Sequence, residues 1–156
     1  MAPRFLAAFA LALAFAGCAD RDEDLAPVIP PLPVETVQRA EAGDAAAQFK
    51  LAEYHLMAEP DDRTPMLRWL RESARRGYSL AQTSLGVLYL NGDGVPLDRA
   101  EAYAWFTLAA DQGEPSALEA EAALSIELSE EELTRAKELA TRYAGQPTEK
   151  TAGRPR

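Results

Sequence analysis

Apolar residues recur at helical spacing through most of the chain, and the pattern is most complete over residues 81–113. Leu85, Leu88 and Tyr89 fall on one face beside small Ala81 and Gly86, which predicts an amphipathic helix with a notch where a neighbour can approach closely. Asn91-Gly92-Asp93-Gly94 tolerates positive φ and predicts the end of that helix by about Asn91, followed by Val95 as an apolar plug and Pro96 as a rigid exit. Asp98, with Glu101 three residues on, has capping-box spacing and predicts the start of a second helix. Ala102, Trp105, Phe106, Ala109 and Ala110 alternate bulk with smallness along its buried face, and Gly113 ends it as a C′ residue. The stretch reads as one antiparallel helical hairpin.

The pattern repeats. Gly43-x3-Ala47, Gly77-x3-Ala81 and Gly113-x3-Ala117 recur at spacings of 34 and 36 residues, the period of stacked helix hairpins, and Trp69 lies 36 residues before Trp105. A first full repeat is therefore expected over 47–77. Its loop, Ala58-Glu59-Pro60-Asp61, lacks the two glycines and the valine and is two residues shorter, so an irregular turn is expected. Either Asp62 or Thr64-Pro65 can start the helix that follows. Residues 35–42 predict one short helix ahead of this unit. After Gly113, Pro115 suits a first helical turn and residues 117–126 give the first helix of a degenerate repeat, with Glu121-Ala122 in place of Leu85-Gly86. Ser129 and Glu132 form a second capping box, and Leu133, Ala136, Ala140 and Tyr143 make a stripe that stops at Gly145. That last helix has a charged outer face, as the cap of a solenoid requires. The predicted fold class is all-α: a short α-solenoid of helix-turn-helix repeats over 34–145, with repeats at 47–77 and 81–113 and a degenerate repeat plus capping helix at 115–145.

Thirteen positions in one register carry a resemblance: Ala81, Leu85, Gly86, Tyr89, Gly92, Gly94, Val95, Asp98, Ala102, Trp105, Ala109, Ala110 and Gly113. Their pattern resembles the Sel1-like repeat, a relative of the tetratricopeptide repeat. The resemblance implies a scaffold that binds other proteins. By the same resemblance, family members assemble envelope complexes such as exopolysaccharide secretion or cell-wall machinery.

The N-terminus supplies an address. Arg4 precedes a twelve-residue apolar run, Phe5 to Ala16, which is too short to span a bilayer but suits a secretory leader over residues 1–17. Gly17-Cys18 resembles the lipobox of bacterial lipoproteins, which implies that Cys18 takes a lipid and becomes the new N-terminus. Phe15 departs from the leucine or small aliphatic residue usual three before the cysteine, and Ala14-Phe15-Ala16 also fits ordinary signal cleavage, which would release a soluble periplasmic protein. Ala19 after the cysteine implies, by resemblance to enterobacterial sorting, an outer-membrane lipoprotein facing the periplasm. Residues 18–33 form a tether, acidic at 20–24 and then carrying Pro27, Pro30, Pro31 and Pro33. The fifteen residues from Ala19 to Pro33 are expected to be extended and reach roughly 45 Å at about 3.1 Å per residue. The polar tail at 146–156 is expected to be disordered.

Charge and composition narrow the rest. A net charge of −9 disfavours nucleic acid and other phosphate-rich partners and favours neutral or basic ones. One cysteine and one histidine build neither a disulfide framework nor a common zinc cage, and no cofactor is expected. His55 stands where Tyr89 stands in the later repeat, so packing accounts for it, and no serine, cysteine or aspartate nearby completes a triad. Acidic pairs such as Asp61-Asp62 read as caps and solvated faces, and the tryptophans as core. What remains is surface recognition by the first helix of each unit, whose outward positions are Phe49, Glu53, Met57, Thr83, Val87 and Asn91. Phe49 and Met57 beside Glu53 would suit an extended or helical peptide with a basic residue; alternatively, Phe49 packs on a preceding helix. The function expected is a non-catalytic, lipid-anchored adaptor in the bacterial envelope with an envelope protein as partner. The rival is an envelope enzyme acting on peptidoglycan or β-lactams, although the paired cysteines of the relatives associated with β-lactams are absent here.

Overall fold

A computed structural model describes residues 29–145 of the 156-residue chain. The leader, Cys18 and its lipidation, the tether as far as residue 28 and the tail at 146–156 lie outside the described residues. Within them are seven helices: α1 (Val34–Glu41), α2 (Ala45–Ala58), α3 (Arg63–Arg75), α4 (Ser79–Asn91), α5 (Arg99–Ala110), α6 (Pro115–Glu127) and α7 (Glu130–Ala144). Helices α2 with α3 and α4 with α5 form the two tight hairpins, and each stacks on the next through α3 against α4.

Local chemistry sets the ends of these helices. Asp44, Asp62, Asp98 and Ser129 each accept a backbone amide of the turn they precede, satisfying donors that a helix cannot satisfy itself. Of the two possible starts for α3, Asp62 is the cap, and Pro65 lies inside the first turn. Gly92 ends α4 in the left-handed region at φ 70°, where a β-carbon would be costly. The short loop between α2 and α3 turns without any left-handed residue, because Glu59 leaves α2 in an irregular conformation and its carbonyl accepts the Asp62 amide.

The joints between successive hairpins are near copies. At each, the amide of a left-handed glycine (Gly43, Gly77, Gly113) donates to the carbonyl of an alanine three residues earlier (Ala40, Ala74, Ala110). Four residues after each glycine a buried alanine (Ala47, Ala81, Ala117) starts the next helix face. At the first two joints a buried glutamine then reaches back: Gln48 Nε2 donates to the Ala40 carbonyl at 3.0 Å and Gln82 Nε2 to the Ala74 carbonyl at 3.1 Å. At the third joint Leu118 stands in that place and is 48% exposed. The first two joints are therefore clamped by a buried glutamine, whereas at the third Thr107 Oγ1 of α5 donates to Glu121 Oε1 of α6 at 2.7 Å instead.

One core joins the hairpins. Ala52, Met66, Leu67, Leu70 and Ala74 from the first pack with Ala81, Leu85, Val95 and Trp105 from the second. A second cluster joins Ala102, Phe106, Ala109 and Ala110 of α5 to Ala117 and Leu124 of α6 and to Leu128. Gly86 is where α4 and α5 come closest: a β-carbon there would lie 2.6 Å from the Phe106 ring. The expected notch is real, and an aromatic ring fills it.

One expectation is corrected. Glu101 does not complete a capping box at Asp98, because its carboxylate accepts the Tyr143 hydroxyl at 2.8 and 2.9 Å instead. In the degenerate third repeat α7 has α5 rather than α6 as its main neighbour. The physical reason lies in α6, whose two buried residues, Ala117 and Leu124, join the α5 cluster, against which α7 sets Leu133. Helix α7 instead places Leu139 and Ala140 on Ala104 and stacks Tyr143 on Trp105, with ring centroids 4.4 Å apart and planes 9° from parallel. Arg135 adds a two-pronged contact to Asp98 at 3.1 and 2.6 Å. The capping role expected of this helix is thus exercised on the second repeat.

Candidate functional site

Helices α2 and α4 are the first helices of their units, and α3 packs against both. Buried Ala52, Met66 and Leu70 form the floor of the groove between them. Phe49, Glu53 and Leu56 line one wall, and Thr83, Ser84, Val87 and Leu88 the other. Its volume is about 320 Å³, and an Arg63–Asp93 ion pair at 3.4 Å stands at the end where α2 and α4 stop. The floor is apolar because it is the outer edge of the core, and no helix of the described residues closes the groove above it.

Polar groups are few. The hydroxyls of Thr83 and Ser84 donate to the carbonyls of Ser79 and Leu80 in their own helix, at 3.0 and 2.8 Å. Glu53 is exposed on its wall and has no hydrogen-bond or ionic partner among the described residues. Leu56 and Val87 are 40% and 43% exposed at the rim. The groove therefore offers an apolar bed with one uncompensated negative charge.

Of the six positions expected to face a partner, four line this groove: Phe49, Glu53, Thr83 and Val87. Phe49 is half-buried, because its ring packs on Tyr78 at a centroid distance of 5.3 Å and joins the edge of the central core. It therefore serves as the groove's end wall as well as its lining. Met57, 58% exposed near the end of α2, and Asn91, exposed as the last residue of α4, lie outside the groove lining. Both sit past the last turn that faces across the gap. Sequence reasoning missed the floor residues Met66 and Leu70 and the Arg63–Asp93 pair. These come from α3 and from the α4–α5 loop, and only the stacking angle brings them to the site.

The remaining candidates have structural roles. His55 is half-buried, edge-on to Tyr54 at 5.9 Å, with its Nδ1 3.4 Å from the Glu59 carboxylate. Trp105 is 4% exposed, whereas Trp69 is half-buried with the Arg68 guanidinium 5.0 Å above its ring. Leu85 is fully buried and Tyr89 bridges the two main clusters. Among the described residues no group of three or more His, Cys, Asp and Glu side chains could hold a metal ion, and no helix is long and apolar enough to cross a membrane. Asp98 shows the strongest balance of opposing effects. Burial pushes its carboxyl up, but Arg135 and the amides of Glu101 and Ala100 outweigh that and hold it below the usual carboxylate range.

Comparison with known proteins places this geometry. The family model of the Sel1 repeat matches residues 45–62 and 79–114, which cover α2 with its following loop and the whole of the second hairpin. A protective antigen present in uropathogenic Escherichia coli strains and displaying an SLR fold is 30% identical with a TM-score of 0.62, over 69% of this chain. The chain spans 24% of that protein's length. A Sel1 repeat protein from Oxalobacter formigenes is 25% identical with a TM-score of 0.52, over 67% of this chain and 96% of that one. No curated protein matches the chain. The described residues are an all-α solenoid of helical repeats, two stretches of which are similar to the Sel1 repeat.

Proposed function

We propose that this chain is a non-catalytic protein-interaction scaffold that receives its partner in the groove between α2 and α4. The observation that carries this reading is the open apolar groove whose rim residues Leu56 and Val87 stay exposed above a floor of Ala52, Met66 and Leu70. A protein partner gains by covering that surface, and the groove presents no chemistry that would transform what it covers. A photo-crosslinking residue at Val87 tests it in intact envelopes, with one at Lys137 on the outer face of α7 as comparison. Protein adducts are expected at Val87 and not at Lys137. Equal labelling at both sites, or no protein adduct at Val87, would overturn the groove as the contact surface.

The same proposal places the domain in the bacterial envelope, held by a lipid on Cys18 and, with Ala19 next to it, carried to the outer membrane facing the periplasm. The sequence supports this through the apolar run ending in Gly17-Cys18 and the acidic, proline-rich stretch that would space the domain from the bilayer. Mass spectrometry of the mature N-terminus is expected to find a lipid-modified residue 18. An unmodified N-terminus at residue 17 or later would remove the anchor and leave a soluble periplasmic scaffold.

A further inference from the structure

The groove's polar inventory bears on what kind of partner fits it. An extended peptide lying along the apolar floor needs partners for its own backbone amides and carbonyls, since unpaired groups buried there are costly. The groove supplies almost none. The Thr83 and Ser84 hydroxyl protons are spent on their own helix, and Arg63 is engaged by Asp93. A helix arrives with its backbone bonds already closed and needs only side-chain contacts.

Size and charge agree. From Phe49 to Leu56 the wall spans eight residues of α2, a rise of about 10 Å at 1.5 Å per residue, or two turns of a partner helix. A space of about 320 Å³ corresponds to about ten water molecules, which suits two or three apolar side chains and not a whole helix. At the rim, two carboxylates, Glu53 and Asp93, face one guanidinium, Arg63, so one negative charge is left uncompensated. We propose that the partner element seated in this groove is a short amphipathic helix with two apolar side chains one turn apart and a lysine or arginine facing Glu53. This rests on the groove being the contact surface, as proposed above.

Selection of displayed 12-residue peptides against the full chain tests it, with a helix-constrained library and a proline-containing extended library run in parallel. Selected peptides are then labelled and their binding followed by fluorescence anisotropy. The expected binders come from the helical library and carry a basic residue beside two apolar ones. Glu53→Lys should weaken them at least tenfold, and changing the peptide's lysine to glutamate should restore binding to that variant. Val87→Arg, with folding checked by circular dichroism, should abolish binding. If Val87→Arg abolishes binding but the binders are extended, acidic or indifferent to Glu53→Lys, the helical, basic partner is overturned and the groove stands. If no binder emerges, or binding ignores Val87→Arg, the groove falls as well.

Discussion

Gly86 carries no side chain because the Phe106 ring occupies the place where one would begin. Alanine is worth about 1 kcal/mol more than glycine in a helix interior, so two effects compete at this position. The ring is fully buried and cannot swing away, so the clash prevails: Gly86→Ala is expected to destabilise the fold by about 1 to 3 kcal/mol, read as a lower urea midpoint at unchanged slope. A higher midpoint would mean the contact between α4 and α5 is loose. Trp105→Ala removes both a core side chain and the surface on which Tyr143 stacks, at an expected cost of about 3 to 5 kcal/mol. A loss below about 1 kcal/mol would show that the indole is not load-sharing in the core. The spacing of small and large residues revealed both positions in the sequence. Gln48 and Gln82 stayed hidden, although each directly follows a repeat alanine. A polar residue on a helix face reads as solvated until the carbonyl it reaches, eight residues earlier, is known to be beside it.

Helix α7 is attached through its polar edge as much as its apolar one. Asp98 caps α5 and holds Arg135, so one carboxylate serves two helices. Its folded value lies below the usual carboxylate range, so its contribution is complete above the unfolded value near 3.9 and is lost as pH falls through the lower folded value. Asp98→Asn keeps a competent cap and loses the charge; its stability should therefore fall less steeply than that of the parent below about pH 4. Asp98→Ala loses the cap as well, and should cost about 1 to 2 kcal/mol at neutral pH. Parallel acid profiles for the parent and Asp98→Asn would remove the ion pair from the account. Capping-box spacing at Asp98 and Glu101 pointed to the right helix start for only half the right reason. The glutamate's real partner, Tyr143, is 42 residues away and on another element. Local spacing carries information about local bonds, and it is silent about which distant hydroxyl competes for the same carboxylate.

At the scale of the whole molecule, the central core draws residues from both hairpins, so neither can open without exposing the other's buried face. The array is therefore expected to unfold in one transition. Trp69→Phe leaves Trp105 to report on the second hairpin, and Trp105→Phe leaves Trp69 to report on the first. In each variant the fluorescence midpoint should coincide with that of far-ultraviolet circular dichroism. Separated midpoints would mean the repeats melt independently. The solenoid class and repeat period were legible because glycine and alanine recur with the joints. The attachment of α7 to α5 rather than to α6 was not, because it depends on pairs far apart in the chain, such as Tyr143 with Trp105.

The clamp at the joint between α3 and α4 bears on recognition. Gln82 lines no part of the groove, yet its bond to the Ala74 carbonyl helps set how far α4 stands from α3, and hence from α2 across the gap. Gln112 steadies the same amide from α5's end, donating to its Oε1 at 2.7 Å. The width offered to a visitor is thus tuned by residues that no visitor touches. Partner preference in such an array can drift through substitutions at its buried seams while every exposed contact residue stays the same.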